Sequence, residues 1–178
     1  MTQAGLFPAT LFGKPGVSVC RADYANPAHA AALVYLLDAY AQDPMGGGQA
    51  LSAFAKINLV EALAARPQVF SILAFDGDKP VGLVNCIEGF STFACLPLVN
   101  VHDVAVLAGY RGQRIAEQML ALAESLARGR GACKMTLEVL HGNAGAIRLY
   151  KRMGFCGLPA GSRHGPGALF AEAFEVSP

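Results

Sequence analysis

The sequence has few of the features that mark membrane, secreted or nucleic-acid-binding proteins. Among its 178 residues no apolar run reaches about 18 residues, so we expect no membrane-spanning helix and no membrane partner. The N-terminus lacks a basic start followed by a continuous apolar stretch, so we expect no secretory signal. Only 15% of the residues are charged, the net charge is +1, and no recognised nucleic-acid-binding motif occurs, so we expect no nucleic-acid partner.

The cysteines lack the spacing of a metal or disulfide framework. The sequence has five of them, scattered and without a C-x-x-C pair, at Cys20, Cys86, Cys95, Cys133 and Cys156. Structural zinc sites and disulfide-rich domains show recurring cysteine spacings. We therefore expect reduced core thiols, no metal cofactor and a cytoplasmic location.

What the sequence does contain is enough apolar material for a sizeable core. Hydrophobic residues make up 53% of the chain, and the length suits one domain over 1–178, with an irregular lead-in over 1–16. Residues 1–100 carry 5 basic and 7 acidic groups, whereas residues 101–178 carry 9 and 6. This asymmetry is either chance or a sign that the second half holds an anionic ligand.

The order of predicted elements indicates an α/β protein. Apolar periodicity and capping signals predict strands over 17–21, 68–75, 81–88, 98–106, 133–140 and 168–176, helices from Pro27 to before Pro44 and over 51–65, 113–128 and 143–153, and a loop over 157–167. Residues 89–97 are predicted to be either a loop or an irregular strand end. In the helix over 113–128, one apolar stripe is formed by Ile115, Met119, Leu122 and Leu126. Asp76-Gly77 predicts a hairpin turn. The strand–helix–strand unit over 98–140 predicts a parallel crossover. We therefore expect one mixed sheet with helices on both faces.

The turn over 111–116, Arg111-Gly112-Gln113-Arg114-Ile115-Ala116, joins an apolar strand to a helix. A helix N-terminus leaves N–H groups without partners and presents the positive end of the helix dipole, so this turn can hold a phosphate or pyrophosphate. Arg111 and Arg114 would add positive charge there. The alternative is an ordinary strand–helix turn with solvated arginines, since the common patterns G-x-x-x-x-G-K-[ST] and G-x-G-x-x-G are both absent.

A second motif follows in the helix that begins near Asn143. Together, the two segments resemble the GNAT superfamily of N-acetyltransferases, whose phosphate loop reads R/Q-x-x-G-x-G/A and whose later helix reads N-x-x-A-x-x-L-Y-x-x-x-G-F. The later pattern is matched at Asn143, Ala146, Leu149, Tyr150, Gly154 and Phe155. The resemblance covers about residues 68–156 closely. It departs from the family at Arg114, which stands where the loop has its first glycine, and this leaves the strength of cofactor binding open.

The resemblance implies an acetyl-CoA site where two parallel strands splay apart within a mostly antiparallel sheet. Backbone groups over 104–106 would contact the pantetheine arm and the acetyl carbonyl, and amides over 111–116 would hold the pyrophosphate. Tyr150 would protonate the leaving thiolate. The cofactor-binding residues implied are Val104, Ala105, Val106, Arg111, Gly112, Gln113, Arg114, Ile115, Ala116, Asn143, Ala146 and Tyr150.

Two polar residues interrupt the strand next to the expected splay. Strand alternation places His102 on the side of Val104 and Val106, and Asp103 on the opposite face. An imidazole titrates near neutral pH, so His102 is a candidate general base. Both side chains could instead be structural residues with their own hydrogen-bond partners.

The other candidates for the acceptor side are weaker. Glu88 is a second candidate for the catalytic base or for an anchor of a cationic amine, and it could equally be an exposed strand-end carboxylate. Glu138 faces the expected cofactor gap, and we expect His141 and His164 to be solvated. By the resemblance, the first two helices and the later loops would form the acceptor pocket, through Tyr35, Tyr40, Phe54, 90–93 and 162–164.

Two functions from different classes follow. The first is an N-acetyltransferase in which a primary amine of a small molecule or peptide attacks acetyl-CoA directly in a ternary complex. The alternative is an acyl-CoA-binding sensor or interaction module without significant turnover. The resemblance and the apolar composition also permit a homodimer.

Overall fold

The structure is a computed structural model that describes residues 16–140, 142–157 and 168–173. These residues form one seven-stranded sheet in the order β1-β2-β3-β4-β5-β7-β6, with four α-helices. The strands are β1 (Val17–Arg21), β2 (Val69–Asp76), β3 (Lys79–Ser91), β4 (Leu96–Val106), β5 (Met135–Leu140), β6 (Cys156–Gly157) and β7 (Ala168–Ala173). The helices are α1 (Pro27–Gln42), α2 (Ala53–Ala64), α3 (Ile115–Gly129) and α4 (Ala144–Arg152). None of these helices is long and apolar enough to cross a membrane.

Side chains fix where three of the helices begin. Asn26, Ser52 and Asn143 each accept a hydrogen bond from a backbone N–H in the first turn of α1, α2 and α4, respectively. Such caps satisfy N–H groups that have no partner within the helix. The residue before α3 is Arg114, whose side chain makes no such bond, so the N-terminal N–H groups of α3 lack this form of satisfaction.

The sheet confirms the predicted fold class. Neighbouring strands are antiparallel at every pairing except that of β4 with β5, which is parallel and is connected through α3. The predicted crossover over 98–140 is therefore present. A mostly antiparallel sheet with one parallel pair is the architecture that the sequence resemblance implied.

Helices cover both faces of the sheet, as predicted. On one face, Leu33 and Leu36 of α1 pack with Leu73, Leu83 and Ala105. On the other face, the apolar stripe predicted for α3 packs against the sheet, with Ile115 and Met119 buried and Leu122 and Leu126 partly buried. The sheet therefore separates two apolar layers, which fixes the position of β4 between α1 and α3.

Of the two alternatives predicted for 89–97, the strand end is confirmed and the loop is wrong. β3 runs on to Ser91 and β4 begins at Leu96, so only a short turn separates the strands. Gly89 pairs with Leu98, and Phe90 pairs with Pro97, in one continuous antiparallel ladder. Glycine and proline are local signals for a break, and here the long-range pairing overrides them.

Several boundaries also differ from the predictions. Helix α3 begins at Ile115 rather than 113, β5 begins at Met135 rather than 133, and β6 (Cys156–Gly157) begins before the loop predicted over 157–167. The lead-in over 1–15, His141, residues 158–167 and the end of the last predicted strand lie outside the described residues.

Candidate active site

The parallel strands β4 and β5 separate after a short stretch of pairing. Only residues 99–101 of β4 pair with residues 135–137 of β5, although the strands continue to Val106 and Leu140. Beyond the paired stretch a cleft of about 960 Å³ opens between them, lined by the ends of both strands and by parts of α1, α3 and α4. The splay expected from the sequence resemblance is therefore present.

A β-bulge shapes the β4 side of this cleft. Asn85 of β3 pairs with Asp103, whereas the next residue, Cys86, pairs with Val101, so His102 is an extra residue in β4. The bulge shifts the alternation of the strand by one residue, and side chains on both sides of it, such as Val101 and Val104, pack against the same core layer. Strict alternation therefore breaks at this bulge, and the side shared by His102 and Val104 stays a prediction. His102 is exposed at the bulge and lines the cleft.

The turn before α3 borders the cleft with two residues in the left-handed region. Gly112 has φ 76°, and Arg114 has φ 59° and ψ 19°. Residues on both sides of Arg114 line the cleft, and the α3 N–H groups there have no side-chain cap. This turn therefore offers to an anion a positive helix end and N–H donors that no described side chain caps.

The side chain of Arg111 is held by two residues that line the cleft. Its Nε donates to the carbonyl oxygen of Val106 at 3.0 Å, and its Nη2 lies 2.8 Å from Oδ2 of Asp43 at the end of α1. The Arg111 hydrogen bond is the main reason why the pKa of Asp43 lies below its usual range. These contacts of Arg111 link the turn over 111–116 to the end of α1, and Arg111 itself lines the cleft.

Tyr150 of α4 lies at the inner wall of the cleft. Its side chain is 8% exposed and packs edge-on against Phe155, with ring centroids 5.7 Å apart. Burial, with a smaller effect of Tyr40, raises the pKa of Tyr150 to about 12. The phenol therefore keeps its proton across the physiological pH range and can act as a proton donor.

The cap of α4 also reaches the cleft. Oδ1 of Asn143 accepts the backbone N–H of Ala146 at 3.1 Å, and both residues line the cleft. The oxygen of the Asn143 side chain therefore caps α4, whereas no described residue accepts a hydrogen bond from its amide nitrogen. An amide provides two N–H donors that a ligand can use.

A chain of buried and partly buried hydrogen bonds crosses the sheet and ends at Asp103 on β4. The hydroxyl groups of Tyr24 and Ser71 lie 3.0 Å apart, Ser71 Oγ donates to Asn85 Oδ1 at 2.6 Å, and Asn85 Nδ2 donates to Asp103 Oδ2 at 2.9 Å. Burial, followed by the negative charges of Asp103 and Asp43, raises the pKa of Tyr40. The chain therefore holds the Asp103 carboxylate near a tyrosine of the cleft wall.

Glu88 lies apart from these residues. Its Oε2 is 2.8 Å from Nη1 of Arg130, whose guanidinium also lies over the Phe70 ring, 4.8 Å from the centroid. Glu88 does not line the cleft, whereas Glu138 does.

Gln113, one of the predicted cofactor-binding residues, does not line the cleft either. Its Nε2 donates to the carbonyl of Gly109 at 3.1 Å, and its buried Oε1 has no described partner.

The structure thus brings most of the sequence-predicted site residues to one cleft. The predicted residues that line it are His102, Val104, Ala105, Val106, Arg111, Gly112, Arg114, Ile115, Ala116, Asn143, Ala146 and Tyr150. Of the predicted acceptor pocket, Tyr40 lines the cleft. Tyr35, Phe54, Phe90 and Phe93 are exposed elsewhere. Residues 162–164 lie outside the described part of the chain.

Other residues of the site had weak or no sequence signals. Asp43, Glu117, Arg148 and Arg152 line the cleft, but charged residues at the ends of helices and in exposed turns are common. Asn85 had the clearest signal, as an amide within the apolar run 81–86, because an uncharged polar group there needs a buried partner.

Within the described ranges, no group of three or more His, Cys, Asp or Glu side chains could hold a metal ion.

The fold and the site together define the class of this protein. Its mixed sheet has two parallel strands that splay apart, and beside the splay an arginine-containing turn leads into a helix without a side-chain cap. A family model for the acetyltransferase (GNAT) family matches residues 31–155. The chain belongs to this family.

Individual relatives agree over parts of the chain. Streptothricin acetyltransferase from Streptomyces lavendulae is 41% identical over 81 residues, which cover 44% of this chain and 43% of that protein. N-alpha-acetyltransferase 30 from Schizosaccharomyces pombe is 32% identical over 87 residues, covering 49% and 57%, respectively. The chain thus spans about half the length of the curated relatives it matches.

The fold also has close structural neighbours. A chain in the crystal structure of the NatC complex bound to Gag peptide and CoA superimposes with a TM-score of 0.69 and 20% identity. The match covers 90% of this chain and 99% of that chain. At this identity the likeness shows the fold alone.

Proposed function

We propose that this protein is an N-acetyltransferase that moves an acetyl group from acetyl-CoA to a primary amine by direct attack in a ternary complex. The observation that carries the proposal is the single cleft. It combines the splay of β4 and β5, the uncapped start of α3 and the buried phenol of Tyr150. A binding module would need the first two features but has no use for a buried proton donor.

The residues present fit acetyl-CoA. Beyond Val101, the β4 edge that faces β5 pairs with no strand in the described part of the chain, so its backbone groups can pair with an amide-containing arm. The uncapped N–H groups of α3 suit a pyrophosphate. Arg114 supports this use, because its backbone already has the left-handed conformation that glycine commonly provides at such turns.

When bound, acetyl-CoA supplies the thioester carbonyl that the amine attacks. Tyr150 Oη holds its proton at neutral pH and donates it toward the sulfur that leaves. N–H groups on the open edge of β4 can donate to the oxygen on which negative charge develops. These residues therefore provide the donor side of acyl transfer.

His102 is our candidate for the base. The bulge places it exposed on the cleft lining and outside the regular β3–β4 ladder. An ammonium must lose a proton before it can attack, and an imidazole can accept that proton directly or through water. We assign no role in transfer to Glu88, because its carboxylate pairs with Arg130 away from the cleft.

The acceptor class that we propose is a primary amine of a small molecule or a peptide. Two of the matched relatives are named for the group they acetylate, one for streptothricin and one for an N-alpha amine. The carboxylate of Glu138 lines the cleft and can attract a cationic amine.

The test is an acetylation assay with free-thiol detection, using streptothricin and short peptides with free N-termini as acceptor probes. We expect acetyl-CoA-dependent thiol release with at least one probe. Tyr150→Phe should lower turnover by about 100-fold or more and leave the acetyl-CoA Kd within about threefold. Tyr35→Phe, at an exposed tyrosine of α1, is the matched control and should change neither. Equal turnover in Tyr150→Phe would remove this residue from the mechanism.

We also propose a cytoplasmic location and a homodimer. All five cysteines are free thiols, which supports a reducing compartment. Phe54 and Ile57 on α2 are 77% and 80% exposed, so apolar area is available for self-association. Sedimentation velocity at several protein concentrations measures the oligomeric state, and a monomer throughout would contradict the homodimer.

A further inference from the structure

One cation of the cleft has no partner among the residues that the structure describes. Arg148 of α4 is exposed and lines the cleft, and no described residue forms a hydrogen bond or an ion pair with it. Its neighbour Lys151 is also exposed but does not line the cleft. The position of Arg148 therefore leaves a guanidinium available to a ligand in this cleft.

The other arginines of the cleft are already engaged by acidic residues. Arg111 pairs with Asp43 at 2.8 Å. Glu117, in the first turn of α3, accepts from Arg152 at 2.8 Å and lies 3.7 Å from Arg114. These pairs partly neutralise the turn before α3, which leaves Arg148 as the cation without an acidic partner among the described residues that line the cleft.

The ion pair of Arg152 with Glu117 also locates Arg148 relative to the phosphate-loop turn. It joins the end of α4 to the start of α3. Arg148 precedes Arg152 by four residues and thus lies one helical turn, about 5.4 Å, nearer the start of α4 on the same side of the helix. The unpaired guanidinium and the start of α3 therefore border the same cleft and are linked through α4.

We infer that Arg148 binds the 3′-phosphate of CoA and allows the protein to distinguish CoA from 3′-dephospho-CoA. This inference rests on the proposed function, because it takes the 5′-diphosphate to lie at the α3 N-terminus. The ribose ring separates the 3′-phosphate from that diphosphate by only a few bonds. A guanidinium can donate two parallel N–H bonds to a phosphate, and a phosphomonoester carries more negative charge than a diester.

The acidic groups facing the cleft do not oppose this assignment. Asp43 and Glu117 are paired with Arg111 and Arg152, as described above. Glu138 is exposed and lies on β5, whereas Arg148 lies on α4. A phosphate at Arg148 therefore meets an unshared positive charge.

The experiment is a calorimetric titration of the full chain with CoA and, separately, with 3′-dephospho-CoA. We expect the wild type to bind CoA about tenfold or more tightly than dephospho-CoA. Arg148→Gln should weaken CoA binding by about tenfold and change dephospho-CoA binding by less than about twofold. Lys151→Gln on the same helix is the matched control and should change neither Kd.

The outcomes separate the two proposals. Equal wild-type affinity for both ligands, or equal weakening of both by Arg148→Gln, would overturn the role of Arg148 and leave the proposed function intact. Failure of the folded wild type to bind either ligand would overturn the proposed function itself. Arg148 is exposed, so we expect an unchanged thermal midpoint in Arg148→Gln, which confirms that any loss of binding is local.

Discussion

At the first glycine position of the phosphate-loop pattern, Arg114 has φ 59° and ψ 19°, a conformation that costs a non-glycine residue free energy. Its side chain lies 3.7 Å from that of Glu117, and at this distance a pair with a largely exposed arginine contributes little stability. The turn therefore keeps the backbone shape of the family pattern without the residue that adopts it most readily. The sequence alone could not show this, because a left-handed φ at an arginine depends on the surrounding fold.

Arg114→Gly tests this reading. We expect a gain in the free energy of unfolding of about 1 kcal/mol, because glycine relieves the left-handed strain. We expect the acetyl-CoA Kd to change by less than about threefold, because the backbone N–H groups keep their positions. Cys95→Gly is the control, since Cys95 has φ 55° in the β3–β4 turn away from the cleft. A loss of binding by more than tenfold in Arg114→Gly alone would show that the guanidinium is a principal ligand contact.

The role of His102 as the base predicts a loss of turnover without a loss of cofactor binding. In His102→Ala we expect turnover to fall by about 100-fold and the acetyl-CoA Kd to stay within about threefold, because only proton transfer from the amine is lost. We expect no loss of the wild-type rate from deprotonation of Tyr150 up to about pH 10, because burial raises the pKa of this phenol to about 12. Wild-type turnover in His102→Ala would exclude His102 as the base.

At the scale of elements, the helix caps combine structure with binding. Asn26 and Asn143 both cap helices, but only Asn143 borders the cleft. A cap oxygen contributes about 1 kcal/mol. The two asparagines therefore allow the structural and ligand-binding contributions of Asn143 to be measured separately.

Asn143→Asp keeps a cap oxygen but loses the amide donors, so we expect near-normal stability and at least fivefold weaker acetyl-CoA binding. Asn26→Ala should lower the free energy of unfolding by about 1 kcal/mol and leave the Kd unchanged. Chemical denaturation and calorimetry provide both readouts. If Asn143→Asp binds acetyl-CoA like the wild type, the Asn143 amide has no role in the cofactor site.

Elements with local signals were predictable from the sequence, and those that depend on distant pairing were not. The apolar stripe of α3 and the cap at Asn143 were both correctly predicted, because each depends on residues within one or two turns. The sequence did not predict the bulge at His102 and did not decide between a loop and the ladder through Gly89. Both follow from the register between β3 and β4, and no short segment encodes that register.

At the scale of the whole molecule, the sequence predicted the arrangement of strands and helices better than it predicted which charged groups form pairs. Motif order was enough to predict the splayed parallel pair and the positions of most cleft residues. The partners of charged groups depend on which elements meet in space, so the pairs of Arg111 with Asp43 and of Glu88 with Arg130, separated by 68 and 42 residues, could not be foreseen. For the same reason, the sequence could not show that Arg148 lacks an acidic partner among the described residues, whereas the other arginines of the cleft have one.

The measurement that tests the central claim most directly is a calorimetric titration of the purified full chain with acetyl-CoA, after removal of any copurified CoA. Our account predicts binding of one acetyl-CoA per chain with a micromolar Kd, roughly 8 kcal/mol of binding free energy. Competition by free CoA should follow, because both ligands share the pyrophosphate that α3 would hold. No heat of binding at millimolar acetyl-CoA, in protein shown to be folded by circular dichroism, would contradict the account.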